Sequence, residues 1–224
     1  MPSFVGTEIE PAELEARAGE FETAPAGAVI AWAHERFDGQ VALACSFQDC
    51  VVVDLAVRVD PAIEVLFLDT GFHFPETLEY VEQVRARYDL RLRVLRPGPE
   101  AARWPCGTDR CCEMRKVVPL DAGLAGRRAW LTGLKRADAA TRAAAPIVSW
   151  DDRRGLVKVN PLATWTDDDV ANYAADHGLP AHPLASEGYL SIGCAPTTRP
   201  VAPGDDPRAG RWSGSSKTEC GLHA

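Results

Sequence analysis

Residues 41–71 read VALACSFQDCVVVDLAVRVDPAIEVLFLDTG and set the architecture of the chain. The segments VALACSF (41–47) and IEVLFLDTG (63–71) are apolar runs of strand length. Between them, VVVDLAVRV (51–59) has the length of a helix, and Asp60-Pro61 ends it. A strand, a helix and a second strand in succession are typical of a parallel sheet whose strands are joined by crossover helices.

The same alternation continues on both sides of this stretch. Residues 1–24 are rich in Glu and Ala and predict a short helix. Further helices are predicted at 26–37, at 74–89 with Pro75 near its start, and at 165–178 with Thr166 as N-cap, and further strands at 90–97, 127–135 and 155–162. The pattern predicts an α/β fold with a doubly wound, mostly parallel sheet.

Pro and Gly recur from residue 179 onward and the periodicity fades, which predicts irregular structure ending in a flexible C-terminal tail. We expect three divisions of the chain: an N-terminal helical segment (1–38), the α/β domain (39–200) and the tail (201–224).

Composition narrows the function classes. The 224 residues are 46% apolar and 25% charged, as in an ordinary globular protein, and the net charge is −8. A general nucleic-acid binder would normally present a basic face, so we expect no nucleic-acid partner. We also expect no membrane partner and no signal peptide, because no apolar run approaches about 20 residues and the N-terminus is acidic. A cytoplasmic location is expected, and the sequence leaves a homo-oligomer open.

Two loops follow predicted strands at the edge where parallel sheets bind ligands. The first, Ser46 to Asp49, offers backbone N–H groups and the Ser46 hydroxyl to a phosphate or sulfate, although a plain helix N-cap would read the same. The second is LDTGFHFPET (68–77), where five polar side chains crowd a strand exit. That is more than a turn needs, which favours a ligand site.

The chain has seven cysteines, and in a reducing compartment they indicate metal, cluster or redox chemistry rather than structural disulfides. Cys111 and Cys112 are adjacent and precede Arg115 and Lys116, which would lower a thiol pKa or balance a thiolate cluster. Cys194 lies in SIGCAPTT, a segment flanked by Gly and Pro. Each cysteine alone could be a small buried apolar residue. We expect all three in turns that present them as ligands.

The last cysteine, Cys220, lies in KTECGLHA (217–224) with no apolar run around it. One interpretation is an incidental surface cysteine. The other is a nucleophile on a mobile tail that enters a site and leaves it again.

These stretches resemble the assimilatory sulfonucleotide reductases, specifically the bacterial adenylylsulfate (APS) reductases. The matching segments are the loop from Ser46 to Asp49, LDTGFHFPET, CCEMRKVVPL, TGLKRADAATR, NPLATWTDDDV, GYLSIGC, DPRAGRW and ECGLH, in the order of the family. The resemblance implies a sheet of the adenine nucleotide α-hydrolase-like type, with a modified pyrophosphatase loop.

The resemblance also implies a reaction. Such reductases convert adenylyl sulfate into sulfite and AMP with electrons from thioredoxin, through an S-sulfonate on the terminal cysteine. Cys220 is then the nucleophile, and His223 would orient the tail or assist the thiol. The implied substrate-binding residues are Ser46, Asp69, Thr70, Gly71, Lys116, Arg136, Arg208 and Arg211.

The family's cofactor is a [4Fe–4S] cluster, with Cys111, Cys112 and Cys194 at three of its four ligand positions. The fourth position is Thr197, and a hydroxyl is a poor, hard ligand for iron. The cluster could be held by three cysteines and a substitute, be reduced to three irons, or be absent. Cys106 is a conceivable replacement, whereas Cys45 and Cys50 are expected to be packing residues.

Two other functions stay open at the level of sequence. A reductase of the 3′-phosphorylated nucleotide has a similar fold, but its cluster-free members lack the Cys-Cys pair, so Cys111 and Cys112 favour APS. A catalytically idle nucleotide- or cluster-binding homologue is suggested by Thr197, and the retained Cys220 argues against it.

Overall fold

The apolar runs of the sequence form the strands of a sheet in the computed structural model, which describes residues 9–213 and 217–222. The strands are β1 Val41–Cys45, β2 Glu64–Leu68, β3 Leu92–Leu95, β4 Ala129–Thr132, β5 Val148–Asp151 and β6 Leu156–Val159. Their spatial order is β3-β2-β1-β4-β6-β5. The predicted α/β fold with a mostly parallel sheet is confirmed.

Seven α-helices accompany the strands within the described residues. They are α1 Pro11–Glu20, α2 Ala26–Arg36, α3 Val51–Val59, α4 Pro75–Tyr88, α5 Asp109–Cys112, α6 Val118–Leu124 and α7 Asp167–Asp176. The predicted N-cap of α7 is confirmed, because the Thr166 hydroxyl accepts a hydrogen bond from Asp169 N at 3.1 Å. Pro75 begins α4, as predicted.

Two elements were missed by the sequence analysis. The strand β5 is one of them, and it pairs antiparallel with β6. The other is the helical run α5 to α6, which a π-helical turn at Glu113–Val117 makes continuous. After residue 179 the described chain contains only short 3-10 turns, at Pro183–Glu187 and Ala195–Thr197, so the prediction of irregular structure there is confirmed.

The chain divides into two units by its internal contacts. The sheet unit comprises residues 9–45, 51–65 and 124–179. The cysteine unit comprises residues 46–50, 66–123, 180–213 and 217–222. The expected divisions at residues 38 and 200, and the flexibility of the tail, stay predictions.

The core of the sheet unit is a row of apolar side chains across three parallel strands. Leu43 of β1 lies opposite Leu131 of β4, which lies opposite Val159 of β6, and none of the three is exposed. All four residues of β4 are buried, as expected for a central parallel strand covered on both faces. Burial of continuous apolar runs therefore determines the register of these strands.

The cysteine unit has fewer regular elements and more hydrogen-bonded turns. Buried Tyr80 of α4 donates to Pro180 O at 2.8 Å, and buried Thr77 contacts the His182 ring at 3.0 Å between Oγ1 and Nε2. Side chains of α4 thus hold the segment that leads to Cys194. Across the described part of the chain, no helix has both the length and the apolar character that crossing a membrane requires.

Candidate functional site

The loop after β1 is anchored within the cysteine unit by Gln48. Its amide donates to Leu190 O at 3.3 Å, and its carbonyl oxygen accepts from Ile192 N at 3.0 Å. Phe47 is fully buried at a positive φ of 55°, a conformation that costs a bulky residue energy and occurs mostly at functional sites. Ser46, the predicted anion contact, is exposed.

The loop after β2 is shaped by its own side chains. The Asp69 carboxylate accepts from Gly71 N at 3.0 Å and pairs with Arg96 at 3.1 Å. Thr70 Oγ1 accepts from Phe72 N at 3.2 Å, and Gly71 has a φ of 72°, which suits glycine. The predicted Asp69, Thr70 and Gly71 thus form one rigid turn.

Cys111 and Cys112 lie on a helix, so the expectation that they occupy a turn was wrong. Thr108 caps the helix, because its hydroxyl accepts from Cys111 N at 3.2 Å, and α5 begins at Asp109. Apolar residues further along, such as the buried Leu120 and Leu124, keep the chain helical beyond the cysteines. Both thiols are buried.

A small cavity in the cysteine unit brings the predicted cluster ligands together. Its lining consists of four cysteines, three basic residues and three others: Cys106, Cys111, Cys112, Cys194, Arg115, Lys116, Arg211, Gly107, Thr197 and Trp212. Cys194 was expected in a turn and lies there, as the residue that precedes the 3-10 turn Ala195–Thr197. All seven cysteines of the chain lie in its described part, and no disulfide joins them.

The pKa of the Cys194 thiol at this cavity lies below its ordinary value. A hydrogen bond from Cys106 lowers the pKa of Cys194 most, and Lys116 and the Thr70 hydroxyl lower it further, against the opposing effect of burial. The neighbouring Cys194 raises the pKa of Cys106, and burial raises it further. The Thr70 Oγ1 to Cys194 Sγ distance is 3.6 Å.

Arg115 and Lys116 bring positive charge to the cavity without a carboxylate to neutralise it among the described residues. The Arg115 guanidinium donates to Thr70 O at 2.7 Å and to Ala101 O at 3.2 Å. It also lies over the Phe72 ring, 4.3 Å from the centroid. Lys116 lies near enough to Cys194 to lower the pKa of that thiol. The cavity can therefore attract an anion.

Arg211, a predicted anion contact, also lines the cavity. It donates to Ser191 Oγ and to Ile192 O, each at 3.2 Å, and lies 4.7 Å from the centroid of the Trp212 ring. Its guanidinium fills the space beside Gly193 that a Cβ would occupy, so glycine is needed there. Arg211 thus also positions the segment that carries Cys194.

Lys217 attaches the described tail to the helix of the two cysteines. Its ammonium group donates to Asp109 Oδ1 at 2.8 Å and to Cys112 Sγ at 3.3 Å. Burial raises the pKa of Cys112, while Lys116 and Lys217 oppose that rise. Sequence reasoning missed Lys217, because its partners Asp109 and Cys112 lie more than 100 residues away in the chain.

Arg208 holds the next residues of the tail. Its guanidinium donates to Thr218 O at 2.9 Å and to Glu219 at 3.4 Å, so this predicted substrate residue contacts the tail in the structure. Cys220 is half-buried and lies close enough to Cys112 to affect its pKa. The tail thus brings Cys220 near Cys112, which lines the cysteine cavity.

Two predicted site residues are not part of this arrangement. Arg136 lies in the sheet unit, where it forms a two-pronged ion pair with Glu22 at 2.8 and 2.6 Å and donates to Ala145 O. His223 lies outside the described residues.

The cysteine cavity differs from a site for a single metal ion. Within residues 9–213 and 217–222, no group of three or more His, Cys, Asp or Glu is placed to hold one ion. A cluster of iron and sulfide is larger than one ion, so its thiolates stand farther apart than those of a zinc site. The donor set, four cysteines with cations beside them, fits an anionic iron–sulfur cluster.

The sequence model of the phosphoadenosine phosphosulfate reductase domain matches residues 40–200. The chain belongs to the phosphoadenosine phosphosulfate reductase family. The match includes both strand-exit loops and the cysteine pair. It confirms the resemblance noted in the sequence.

Relatives in this reductase family match almost the whole chain. The adenosine 5'-phosphosulfate reductase of Streptomyces coelicolor is 47% identical over 220 residues, covering 94% of this chain and 93% of that protein. The protein of the same name from Mycolicibacterium smegmatis is 47% identical over 227 residues, covering 97% and 96%.

A solved structure of the family has the same fold. The phosphoadenylyl-sulfate (PAPS) reductase of Candida auris, in a phosphate complex, superimposes with a TM-score of 0.75 at 24% identity, covering 86% of this chain and 98% of that one. At 24% identity this superposition is evidence for a shared fold only.

Proposed function

We propose that this chain reduces adenylyl sulfate to sulfite and AMP in assimilatory sulfate reduction, with Cys220 as the nucleophile. The observation that carries the proposal is the tail: Lys217 and Arg208 hold the half-buried Cys220 near Cys112, which lines a cavity rich in cations. Relatives named adenosine 5'-phosphosulfate reductase, 47% identical over nearly the whole chain, support the choice of substrate.

The first step is a transfer of the sulfo group (SO3) to the enzyme. The Cys220 thiolate attacks the sulfur of adenylyl sulfate, a sulfur–sulfur bond forms, and the sulfur–oxygen bond to the phosphate breaks. AMP leaves with the electron pair. Positive charge from Lys116 and Arg211 stabilises the negative charge that develops on the departing phosphate oxygen.

The second step needs two electrons, for which we propose a dithiol protein of the thioredoxin class. One thiolate of the reductant attacks Cys220 Sγ, sulfite leaves, and a mixed disulfide forms. The second thiol of the reductant then resolves that disulfide and returns Cys220 as a thiol. Because Cys220 is only half-buried, a second protein can reach it once the tail contacts of Lys217 open.

We further propose a resident iron–sulfur cluster held by Cys111, Cys112 and Cys194. When bound, it would supply an electron-rich, redox-capable group at the cavity. Lys116 balances the negative charge of the thiolates there, and the Thr70 hydroxyl, 3.6 Å from Cys194 Sγ, fixes the orientation of that thiol.

The test uses the full chain with adenylyl sulfate and no reductant. We expect one added sulfonate mass, located on the Cys220 peptide, and one AMP released per chain. Adding thioredoxin should then release sulfite and remove the mass. A sulfonate on another cysteine, or AMP release without any protein adduct, would overturn the assignment.

The second candidate is reduction of the 3′-phosphorylated nucleotide, favoured by the match to the phosphoadenosine phosphosulfate reductase domain. Both nucleotides are therefore assayed side by side. A higher kcat/KM for the 3′-phosphorylated substrate would replace adenylyl sulfate in the proposal without affecting the role of Cys220.

A further inference from the structure

Cys106 lines the same cavity as the three cysteines at family ligand positions. Cys194 lines that cavity as well, so the two cysteines are neighbours at one site. Thr197, which stands at the family's fourth ligand position, lines the cavity too. The cavity thus contains a fourth cysteine, Cys106, although the family's fourth ligand position is occupied by Thr197.

The backbone around Cys106 is built to hold it there. Thr108 donates through Oγ1 to Pro105 O at 2.9 Å and then caps α5, so the turn that carries Cys106 is fixed to the helix of Cys111. Gly107 has a φ of 95°, in the region that favours glycine. A Cβ on Gly107 would lie 2.9 Å from Thr197 Cγ2, so this turn packs directly against Thr197.

Thr197 itself is poorly suited to bind iron. Its hydroxyl donates to Cys194 O at 3.3 Å, and its methyl group faces Gly107. A hydroxyl is also a hard donor, whereas iron in sulfide clusters takes soft thiolates. The side chain of Thr197, at the family's ligand position, therefore stabilises the turn through its hydrogen bond to Cys194 O.

We propose that Cys106 supplies the fourth thiolate of the cluster site, together with Cys111, Cys112 and Cys194. The assignment rests on the cofactor in the proposed function. Four thiolates carry more negative charge than the cluster irons and sulfides offset. Lys116 at the cavity and Lys217, 3.3 Å from Cys112 Sγ, supply the compensating charge.

The experiment compares iron and sulfide content after anaerobic reconstitution of the full chain with ferrous iron and sulfide. We expect about four irons per chain in the wild type and about three or fewer in Cys106→Ser. In that variant, limited air oxidation should produce a three-iron paramagnetic signal, and the visible absorption should decay faster than in the wild type.

Two further variants separate ligand loss from general damage. Cys50→Ser is the matched control, because Cys50 is buried in the same unit but does not line the cavity, and it should keep the iron content of the wild type. Cys106→Ser combined with Thr197→Cys moves the thiolate to the family position and should restore about four irons.

The assignment is overturned if Cys106→Ser keeps the iron, sulfide and spectrum of the wild type, if the combined variant regains no iron, or if the wild type takes up none. Failure of the proposed function gives a different result. If the wild type binds the cluster but forms no sulfonate on Cys220, the proposed reaction is wrong and the assignment of Cys106 as a ligand stands.

Discussion

The two units of the chain handle buried charge in different ways. In the sheet unit, cations meet carboxylates: Arg154 pairs with Asp151 at 2.8 Å, and Arg127 pairs with Glu64 at 2.6 Å. In the cysteine unit, Arg115 donates to backbone carbonyls, and Lys116 faces thiols. In the first arrangement each of these cations is neutralised by a carboxylate. The second leaves positive charge available for an anionic substrate and for thiolates.

The largest effect should come from the thiol at the edge of the cysteine unit. Cys220→Ser should lower sulfite formation at least about 10³-fold, because a serine hydroxyl is not ionised near neutral pH and the attacking thiolate is lost. Binding of adenylyl sulfate, measured by calorimetry, should change little, since the proposed mechanism uses Cys220 in the chemical step.

Cys220→Ser also tests whether a residue needed for the proposed reaction can be replaced without loss of folding stability. The urea midpoint of Cys220→Ser should equal that of the wild type, because the residue is half-buried in the tail. Sulfite formation near the wild-type rate would remove Cys220 from the mechanism.

The second prediction concerns the core of the sheet unit, with a control residue in the cysteine unit. Leu131→Ala removes a fully buried side chain from the row formed with Leu43 and Val159, which should lower the free energy of unfolding by about 2–5 kcal/mol. The matched control is Leu78→Ala, a leucine of α4 that is 41% exposed and should lose much less. Urea titration followed by circular dichroism measures both, and equal losses would contradict the role of this row as the core.

The difference between the two units also explains which elements could be predicted from the sequence. In the sheet unit, the runs at 41–47 and 127–135 became β1 and β4, because buried parallel strands are continuously apolar. The strand β5 was missed, since Val148–Asp151 is short, only partly buried and at the sheet edge.

In the cysteine unit, prediction was less complete. Cys111 and Cys112 were recognised as a chemical pair, but their helix was not, because it depends on the Thr108 cap and on packing further along the chain. Cys106 reaches the cavity through a turn, Lys217 contacts Cys112 from the tail, and no periodic pattern encodes either position. Tertiary contacts decide such positions, and a single sequence carries little signal for them.

The third prediction tests whether the positive charge of Lys116 in the cysteine unit contributes to substrate binding. Lys116→Ala should weaken binding of adenylyl sulfate by about 10- to 150-fold, because a hydrogen bond to a charged group contributes about 1.5–3 kcal/mol. Lys158→Ala is the matched control, a half-exposed lysine of the sheet unit that should bind like the wild type. Arg211→Ala is a less selective test, since Arg211 also holds Ser191 and Ile192.

Calorimetric titration at low and high salt measures the effect of Lys116. The loss should shrink as salt rises, because mobile ions screen the charge of an accessible pocket. Equal binding by Lys116→Ala and Lys158→Ala would show that the charge at this cavity does not contact the substrate.

The smallest effect concerns a neutral histidine in the cysteine unit. His182 Nδ1 accepts from Leu184 N at 3.2 Å, so Nε2 carries the proton and donates to Thr77 Oγ1 at 3.0 Å. Burial lowers the pKa of His182 from 6.5 to about 4. Protonating Nδ1 would also remove the acceptor that Leu184 N needs, so the folded chain resists the charged form.

The sign of the pH dependence follows from this lowered pKa. Between pH 4 and pH 6.5 the unfolded chain binds more protons at this residue than the folded chain, so stability falls as the pH falls through that range. His182→Gln removes the titrating group, and the loss of stability between pH 7 and pH 5 should shrink by about 1 kcal/mol relative to the wild type. Urea midpoints at the two pH values measure the difference. Parallel pH profiles for the two proteins would mean that His182 is charged, or solvated, in the folded state.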